Sequence, residues 1–400
     1  MRLLLVHQNF PGQFRQLGPY LQARGHELVA VASHQRQVGL VARILRYPEP
    51  AKPQVPLSYS AGLWHEALQR AEAVAQLAAG LAADGWQPDR ILAHSGWGET
   101  LGLSSVWPMV PQILWPELWV RPEHGGFGCD PQKPSPGLPQ QLEQLGRNTI
   151  TRAALADAQA WVLPTHHQAA SFPPEFQGSR LHVIHEGIDT AKACPNPEVS
   201  FEVRGCRIDR CVPILTLINR NLERLRGFDV FMRALPAVMA AEPRLRVLVV
   251  GGNEPGYGGG QPTTPLRQRM LQELDGQLDY GRLHFLGRIP YDQLIAVMQA
   301  SWVHVYLSYP FVLGWSLLEA MACGCAIVGS EGMPVAEVIT SGVEGVLVPH
   351  ERPDLLADRI VRLLARPDLR VQLGKSARRR ALDFDQAGTL LSLAQLVEAG

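Results

Sequence analysis

Residues 309–324 read YPFVLGWSLLEAMACG, and this stretch places one glutamate, Glu319, inside an otherwise apolar helix that follows a glycine-containing loop. A carboxylate inside such a helix costs free energy unless something binds it. Gly314 allows the backbone to approach a ligand, and the unpaired N–H groups that open the helix suit a diphosphate. Glu319 lies about one and a half turns further on, where it would accept hydrogen bonds from a ribose. The stretch therefore predicts a nucleotide site, with a carboxylate solvated on a helix face as the alternative.

Continuous apolar runs alternate with helical stretches along the chain, which is typical of parallel sheets covered on both faces. Four hundred residues with 46% apolar content suffice for two domains. We expect an α/β protein with two doubly wound, Rossmann-like domains facing an interdomain cleft, and a linker within residues 187–210, where prolines interrupt the pattern. The predicted divisions are a first domain over 1–188, a second domain over 189–380, and a C-terminal helix over 381–400 that packs back on the first domain.

The composition excludes several classes of function. The chain carries 37 Lys and Arg against 37 Asp and Glu, whereas nucleic-acid binders usually show a clustered basic excess. Its six cysteines show no metal-ligand spacing, so we predict no metal site and a reducing, cytoplasmic location. No apolar run reaches the roughly 18 residues of a membrane span, which leaves at most a peripheral membrane contact.

The turns after the first strand of each half do not suit a dinucleotide. Val6 is followed by HQNFPG and Ile218 by NRN, so neither turn carries the G-x-G-x-x-G pattern that brings backbone up to a pyrophosphate. This argues against an NAD-dependent enzyme such as an epimerase. A glycoside hydrolase would need two carboxylates at a set separation, and no evident pair is present.

Two arginines flank the loop after the first strand of the second half. Arg220 and Arg226 precede Gly227 and a predicted helix. Each guanidinium can donate paired hydrogen bonds to phosphate oxygens without losing its charge. The pair therefore indicates a diphosphate site, with two surface arginines as the alternative.

These motifs together resemble a known family. The residues Pro310, Gly314, Glu319, Ala320, Met321 and Gly324 resemble the donor-site signature of retaining GT-B glycosyltransferases of family 4, also called glycosyltransferase group 1. Arg220 and the pair Arg226-Gly227 resemble the family's Arg and Lys-Gly, with Arg in place of Lys. In the first half, Gly12 lies in a segment that resembles the family's loop facing sugar and acceptor, and His94 matches its histidine near the reacting sugar carbon.

One departure from the family pattern stands out. The family commonly has two glutamates separated by seven residues, and Phe311 occupies the place of the first. The resemblance implies either that backbone groups of residues 311–314 hold the donor sugar instead of this glutamate, or that the donor has different polar needs.

The resemblance implies a hexosyltransferase that moves a sugar from a UDP- or GDP-linked donor to an acceptor hydroxyl with retention of anomeric configuration, without metal or cofactor. The resemblance would make residues 1–188 the acceptor-side domain and residues 189–380 the nucleotide-sugar-binding domain. The acceptor would be a carbohydrate, a lipid-linked molecule or a small molecule. The implied catalytic residues are Arg220, Arg226 and His94, and the implied donor-binding residues are Gly12, Phe311, Val312, Leu313, Gly314 and Glu319. The alternative is a catalytically inactive GT-B-fold carbohydrate- or nucleotide-binding or scaffold protein, for which Phe311 is the main argument.

Overall fold

The structure is a computed structural model that describes residues 1–35, 43–254, 256 and 264–399. The chain divides into two compact units. Unit 1 comprises Met1–Pro122, Ser135–Glu186 and Ala387–Gly400, and unit 2 comprises Glu123–Pro134 and Gly187–Gln386.

Unit 1 is built on a parallel sheet of seven strands in the order β5-β3-β1-β6-β7-β8-β9, beside a short parallel pair, β2 and β4. Helices flank the strands. The elements are β1 (Arg2–Val6), β2 (Asn9–Phe10), α1 (Phe14–Ala23), β3 (Glu27–Ala32), β4 (His34–Gln35), β5 (Arg43–Arg46), α2 (Tyr59–Ala83), β6 (Arg90–His94), α3 (Leu103–Val106), β7 (Gln112–Trp115), α4 (Leu138–Ala156), β8 (Ala160–Leu163), α5 (His166–Ser171) and β9 (Leu181–Val183).

The apolar runs in the sequence reflect burial on both faces of this sheet. Along β1, Leu4 and Val6 belong to one core cluster, and Leu3 and Leu5 belong to another. Successive side chains of a strand point to opposite faces, so a strand covered on both sides must be apolar at every position.

Unit 2 contains a parallel sheet of six strands in the order β14-β13-β12-β15-β16-β17 and a separate antiparallel hairpin, β10-β11. The elements are β10 (Ser200–Val203), β11 (Cys206–Asp209), β12 (Ile214–Asn221), α6 (Phe228–Ala241), β13 (Arg246–Gly252), α7 (Leu266–Glu273), β14 (Leu283–Gly287), α8 (Tyr291–Ala300), β15 (Val303–Tyr306), α9 (Trp315–Ala322), β16 (Ala326–Ser330), α10 (Val335–Val338), β17 (Gly345–Val348), α11 (Pro353–Ala365) and α12 (Pro367–Ala381).

The hairpin β10-β11 corrects the sequence-based interpretation of residues 187–210 as an irregular linker. Val203 and Ile208 are buried in the apolar core of unit 2, so the hairpin is part of that unit. Each strand has only four residues, too few to give a clear alternation beside the prolines that precede them.

Residues 123–134 also differ from the sequence-based division, which placed them in the first domain. Arg224 of unit 2 donates two hydrogen bonds to Asp130, at 2.8 and 3.1 Å, and Asp130 is 4% exposed. The ring of Tyr309 lies against Gly126, where an added Cβ would come within 3.3 Å of it. These contacts group the segment with unit 2, and no local sequence pattern predicts them.

The last helix, α13 (Gln386–Glu398), belongs to unit 1 over nearly its whole length. Leu393, Ala394 and Val397 join the core cluster that contains Leu3 and Leu5. Near its end, Glu398 accepts two hydrogen bonds from Arg24, at 2.8 and 2.7 Å. Across the residues that the structure describes, no helix is long and apolar enough to cross a membrane.

Each sheet has one point where the strand order reverses. In unit 1 this point lies between β1 and β6, and in unit 2 between β12 and β15. Doubly wound sheets bind ligands beyond the carboxyl ends of the strands at such a point. His7 follows β1 and His94 ends β6, while Asn221 and Tyr306 end β12 and β15.

Gly227 allows a tight turn at the second of these points. It has φ of 64°, and a Cβ added to it would lie 2.4 Å from the Cβ of Leu307, which follows β15. We expect Gly227→Ala to lower the free energy of unfolding by more than the roughly 1 to 3 kcal/mol of backbone strain alone. Gly276→Ala is the matched control, because Gly276 has φ of 72° and nothing within 4 Å of an added Cβ. Urea unfolding of both variants measures the difference, and equal losses would contradict the steric argument.

Candidate active site

In unit 1, two histidine rings meet at the reversal point of the sheet. The ring centroids of His7 and His94 lie 5.1 Å apart. His7 Nδ1 accepts a hydrogen bond from the Asn9 N–H at 3.0 Å, so its Nε2 carries the proton and donates to Gln13 Oε1 at 2.6 Å. An added Cβ on Gly12 would come within 2.0 Å of His7 Nε2, so the glycine makes room for this ring.

The two rings differ in their preferred charge. Burial, followed by the neighbouring His94, lowers the pKa of His7 to about 4, which leaves it neutral near pH 7. Burial also acts to lower the pKa of His94, but the carboxylates of Glu117, Glu99 and Glu186 outweigh it, and the pKa lies above its ordinary value. The site thus places an imidazole that is neutral near pH 7 beside one whose pKa is raised by neighbouring carboxylates.

Glu117 is the nearest of these carboxylates to His94. Its Oε2 lies 3.8 Å from His94 Nε2, and its Oε1 accepts a hydrogen bond from Gln13 Nε2 at 3.3 Å. Glu117 has φ of 59°, which is uncommon for a residue with a side chain, and the buried Gln168 side chain donates to its carbonyl at 2.7 Å. The hydrogen bond from Gln168 therefore stabilises the backbone conformation that directs Glu117 toward His94.

A second carboxylate, Glu99, is almost fully buried in the loop after β6. It is 1% exposed, and its Oε1 accepts a hydrogen bond from the Tyr47 hydroxyl at 2.9 Å. Burial raises the pKa of Glu99. Gly98 lets this loop approach helix α2, since an added Cβ would lie 2.3 Å from the Ala67 carbonyl oxygen.

In unit 2, Arg226 lies at the reversal point and is held by the loop after β15. Its Nη1 donates to the Tyr306 hydroxyl at 3.0 Å and to Ser308 Oγ at 2.9 Å, and its Nη2 donates to the Val312 carbonyl at 3.2 Å. The ring centroid of Phe311 lies 5.5 Å from the Arg226 Cζ. Within the described part of the chain, these contacts use three of the five guanidinium hydrogens, so the Nε hydrogen and one Nη2 hydrogen can donate to a ligand.

The start of helix α9 is next to this arginine. The N–H of Gly314, which caps the helix, donates to the Tyr306 hydroxyl at 2.8 Å. Tyr306 therefore contacts both the guanidinium and the positive end of the helix dipole.

Glu319 lies further along α9 and is 6% exposed. The Tyr291 hydroxyl donates to Glu319 Oε1 at 2.8 Å. Burial, followed by the charge of Glu319, raises the pKa of Tyr291, so the phenol stays protonated as a donor. The carboxylate is thus tethered inside the protein, which disfavours a carboxylate merely solvated on a helix face.

The predicted site residues separate into distinct environments. Arg226, Phe311, Val312 and Gly314 form one contact network. Leu313 is 7% exposed and packs in the apolar core, while Arg220 is exposed near the end of β12. Gly12 and His94 both contact His7 in unit 1.

Several residues in these networks are not among the site residues predicted from the sequence. His7 could have been found, because it directly follows the first strand. Tyr306 and Tyr291 fit the apolar pattern of their strand and helix, and the hydrophobic periodicity does not show which groups their hydroxyls contact. Glu117 approaches His94 because of its positive φ, which no sequence pattern predicts.

Comparison with known proteins gives one family match in each half of the chain. A family model described as Glycosyl transferase family 4 group matches residues 24–193, and one described as Glycosyl transferases group 1 matches residues 213–380. Sucrose-phosphate synthase of Thermosynechococcus elongatus has the same fold, with a TM-score of 0.74 at 19% identity over 100% of this chain and 98% of that one. HepE of Anabaena, solved with UDP and glucose, gives a TM-score of 0.70 at 17% identity over 100% of both chains.

The fold and these matches define a glycosyltransferase of the GT-B class, as the sequence predicted. The chain belongs to the family 4 type of these enzymes, and the predicted family is confirmed.

Relatives with a named activity include D-inositol 3-phosphate glycosyltransferases. The protein of Corynebacterium jeikeium is 26% identical over 294 residues, which cover 71% of this chain and 67% of the relative. The protein of Corynebacterium efficiens is 30% identical over 262 residues, which cover 64% and 59%. The matches thus span between just over half and two thirds of the relatives' length.

The pKa of His94 provides a test of the unit 1 geometry. Glu117→Gln removes the carboxylate that most strongly opposes the effect of burial, so we expect the pKa of His94 to fall and its charged form to be lost at lower pH. NMR titration of the His94 ring protons measures the shift. Glu27→Gln is the control, because Glu27 lies at the opposite end of the same sheet, in the first position of β3. An unchanged His94 titration in Glu117→Gln would contradict the assigned pairing.

Proposed function

We propose that the protein transfers a sugar from a nucleotide diphosphate donor to an acceptor hydroxyl with retention of anomeric configuration. The observation that carries this proposal is the placement of Arg226, braced by four contacts, beside the start of α9 at the carboxyl ends of β12 and β15. A fixed cation and a helix N-terminus both stabilise negative charge, which grows on the β-phosphate as the glycosidic bond breaks.

Each predicted residue receives a role in this proposal. Arg226 and the exposed Arg220 neutralise the diphosphate, so no metal or cofactor is required. Glu319 accepts hydrogen bonds from the ribose, and backbone groups of residues 311–314 contact the donor sugar. His94 and Gly12 belong to the sugar and acceptor site, a role that rests on the family resemblance.

In the family's usual mechanism the departing phosphate takes the acceptor proton on the same face of the sugar. The proposal therefore needs no carboxylate nucleophile, and we assign none. The carboxylates of Glu117, Glu99 and Glu186 serve instead to raise the pKa of His94.

The nature of the substrates is part of the proposal. We propose a UDP- or GDP-linked sugar, and HepE, a fold neighbour, was solved with UDP and glucose. The acceptor is a carbohydrate, a lipid-linked molecule or a small molecule, and D-inositol 3-phosphate is one compound to test because relatives carry its name. All six cysteines are free thiols, which suits a cytoplasmic reaction, with membrane contact at most peripheral.

A direct experiment combines a thermal-shift screen of nucleotide sugars with an assay for released nucleoside diphosphate. A ligand that binds only the native state raises the melting temperature. Turnover in EDTA would support the metal-independent mechanism, and NMR of the product gives its anomeric configuration. Binding without nucleoside diphosphate release, across the donors and acceptors tested, would favour the inactive binding or scaffold protein.

Arg226 and Arg220 should both be needed for turnover. Replacing either with Ala is expected to cost about 2 to 4 kcal/mol of transition-state stabilisation, as the loss of a single oxyanion donor does elsewhere. The measurement is kcat/KM with the best donor, beside the melting temperature. Arg269→Ala is the control, because Arg269 is an exposed arginine on α7. Activity within a few-fold of wild type in both variants would remove the diphosphate assignment.

Glu319→Gln should weaken nucleoside diphosphate binding while the fold survives. A glutamine oxygen can still accept the Tyr291 hydrogen bond, but the second carboxylate oxygen becomes a donor that cannot accept from a ribose. Because a hydrogen bond to a charged group is worth about 1.5 to 3 kcal/mol, affinity should fall roughly 10- to 100-fold. Calorimetry measures it, with Glu273→Gln on α7 as the control. Unchanged affinity would mean that Glu319 has a structural role.

A further inference from the structure

Tyr306 joins two positively polarised groups through one atom. It ends β15, is 2% exposed, and its hydroxyl oxygen accepts hydrogen bonds from Arg226 Nη1 at 3.0 Å and from the Gly314 N–H at 2.8 Å. The first is a guanidinium, and the second is the capping N–H of helix α9. A hydroxyl oxygen can accept two hydrogen bonds, so both sites are used.

We propose that Tyr306 is a positioning residue for the donor diphosphate, because its hydroxyl fixes the guanidinium of Arg226 relative to the start of α9. This inference rests on the proposed function. Tyr306 acts through Arg226 and is not itself assigned a contact with the substrate.

The electrostatics explain why such a link is needed. The guanidinium and the helix N-terminus both carry positive charge, so they repel one another when no ligand lies between them. An oxygen that accepts from both offsets this repulsion and holds them close before the donor binds. Preorganised charge of this kind stabilises a transition state without further rearrangement.

The glycine at position 314 supports the same interpretation. Its φ of −82° and ψ of 139° are angles that any residue adopts, so the backbone does not require glycine there. An added Cβ would, however, lie 3.0 Å from the Tyr306 hydroxyl oxygen. The space beside Gly314, which the sequence assigned to a ligand, is thus occupied in part by Tyr306.

The loop that carries these groups is anchored at the neighbouring strand. The Ser308 N–H donates to Ser330 Oγ at 3.0 Å, and Ser330 Oγ donates to the Ser308 carbonyl at 3.0 Å. Ser308 Oγ also accepts from Arg226 and donates to the Tyr309 carbonyl at 2.7 Å. Ser308 therefore holds the Arg226 guanidinium to the loop. Tyr306 differs from it because its hydroxyl also accepts a hydrogen bond from the N–H of Gly314, the cap of helix α9.

The test is a double-mutant cycle of Tyr306→Phe and Arg226→Ala, assayed with the best nucleotide-sugar donor. Tyr306→Phe removes only the shared oxygen, and we expect kcat to fall about tenfold while KM for the donor changes less than threefold. In the Arg226→Ala background the same substitution should change kcat less than twofold, because the group to be positioned is gone. A purely structural role would give the same loss in both backgrounds. Tyr280→Phe, at an exposed position, is the control and should leave kcat unchanged.

A second variant keeps the inference testable if Tyr306→Phe does not fold. Gly314→Ala presses a methyl group on the hydroxyl and should lower kcat severalfold at an unchanged fold. If Tyr306→Phe folds, a kcat within twofold of wild type overturns the inference. If it does not fold, the same result in Gly314→Ala overturns it. Neither result contradicts the proposed function. No turnover by the wild-type protein with any nucleotide sugar overturns both.

Discussion

The unneutralised charge of Arg226 is the feature on which the proposed donor site depends. Two arginines of the same turn, Arg224 and Arg226, have opposite environments. Arg224 pairs with Asp130 at 2.8 Å and with Asp229 at 3.5 Å, so its charge is balanced within the protein. Arg226 donates instead to a phenol, a hydroxyl and a carbonyl, which are neutral acceptors that fix the side chain, and no carboxylate among the described residues forms a salt bridge with it. Such an arginine gains most from an anionic ligand, whereas Arg224 serves to hold residues 123–134 to unit 2.

In unit 1, the point where the strand order reverses is occupied by two histidines with different pKa values. The ring centroids of His7, which is partly buried, and His94, which is buried, lie 5.1 Å apart, yet the pKa of His7 is lowered to about 4 and the pKa of His94 is raised. Burial lowers the pKa of both, so the difference comes from the carboxylates that face His94. Neighbouring groups whose pKa values are pushed apart are typical of sites that handle charge or protons. Two histidines with a purely structural role would need no such separation of their pKa values.

The fold was predictable from the sequence because its signals are local and repeated. Continuous apolar strands such as Leu3 to Val6 indicate a sheet covered on both faces, and the segment around Gly314 and Glu319 carries the family resemblance. What could not be predicted depends on contacts between distant residues or on single backbone angles. The salt bridge of Arg224 with Asp130 joins residues 94 positions apart. The left-handed backbone of Glu117 and the hydroxyl contacts of Tyr306 likewise have no periodic signature.

The two departures from the family pattern, Arg226 for Lys and Phe311 for Glu, are explained by one contact. The Phe311 ring lies 5.5 Å from the Arg226 Cζ, a distance at which an aromatic face attracts a cation. A carboxylate beside the same guanidinium would pair with it and cancel the charge that the diphosphate requires. Arginine in place of lysine suits this contact, because a planar guanidinium can lie over a ring while its edge donates to three oxygens. Phe311 therefore argues less for a decayed binding protein than for a site in which an aromatic ring holds the arginine and preserves its charge.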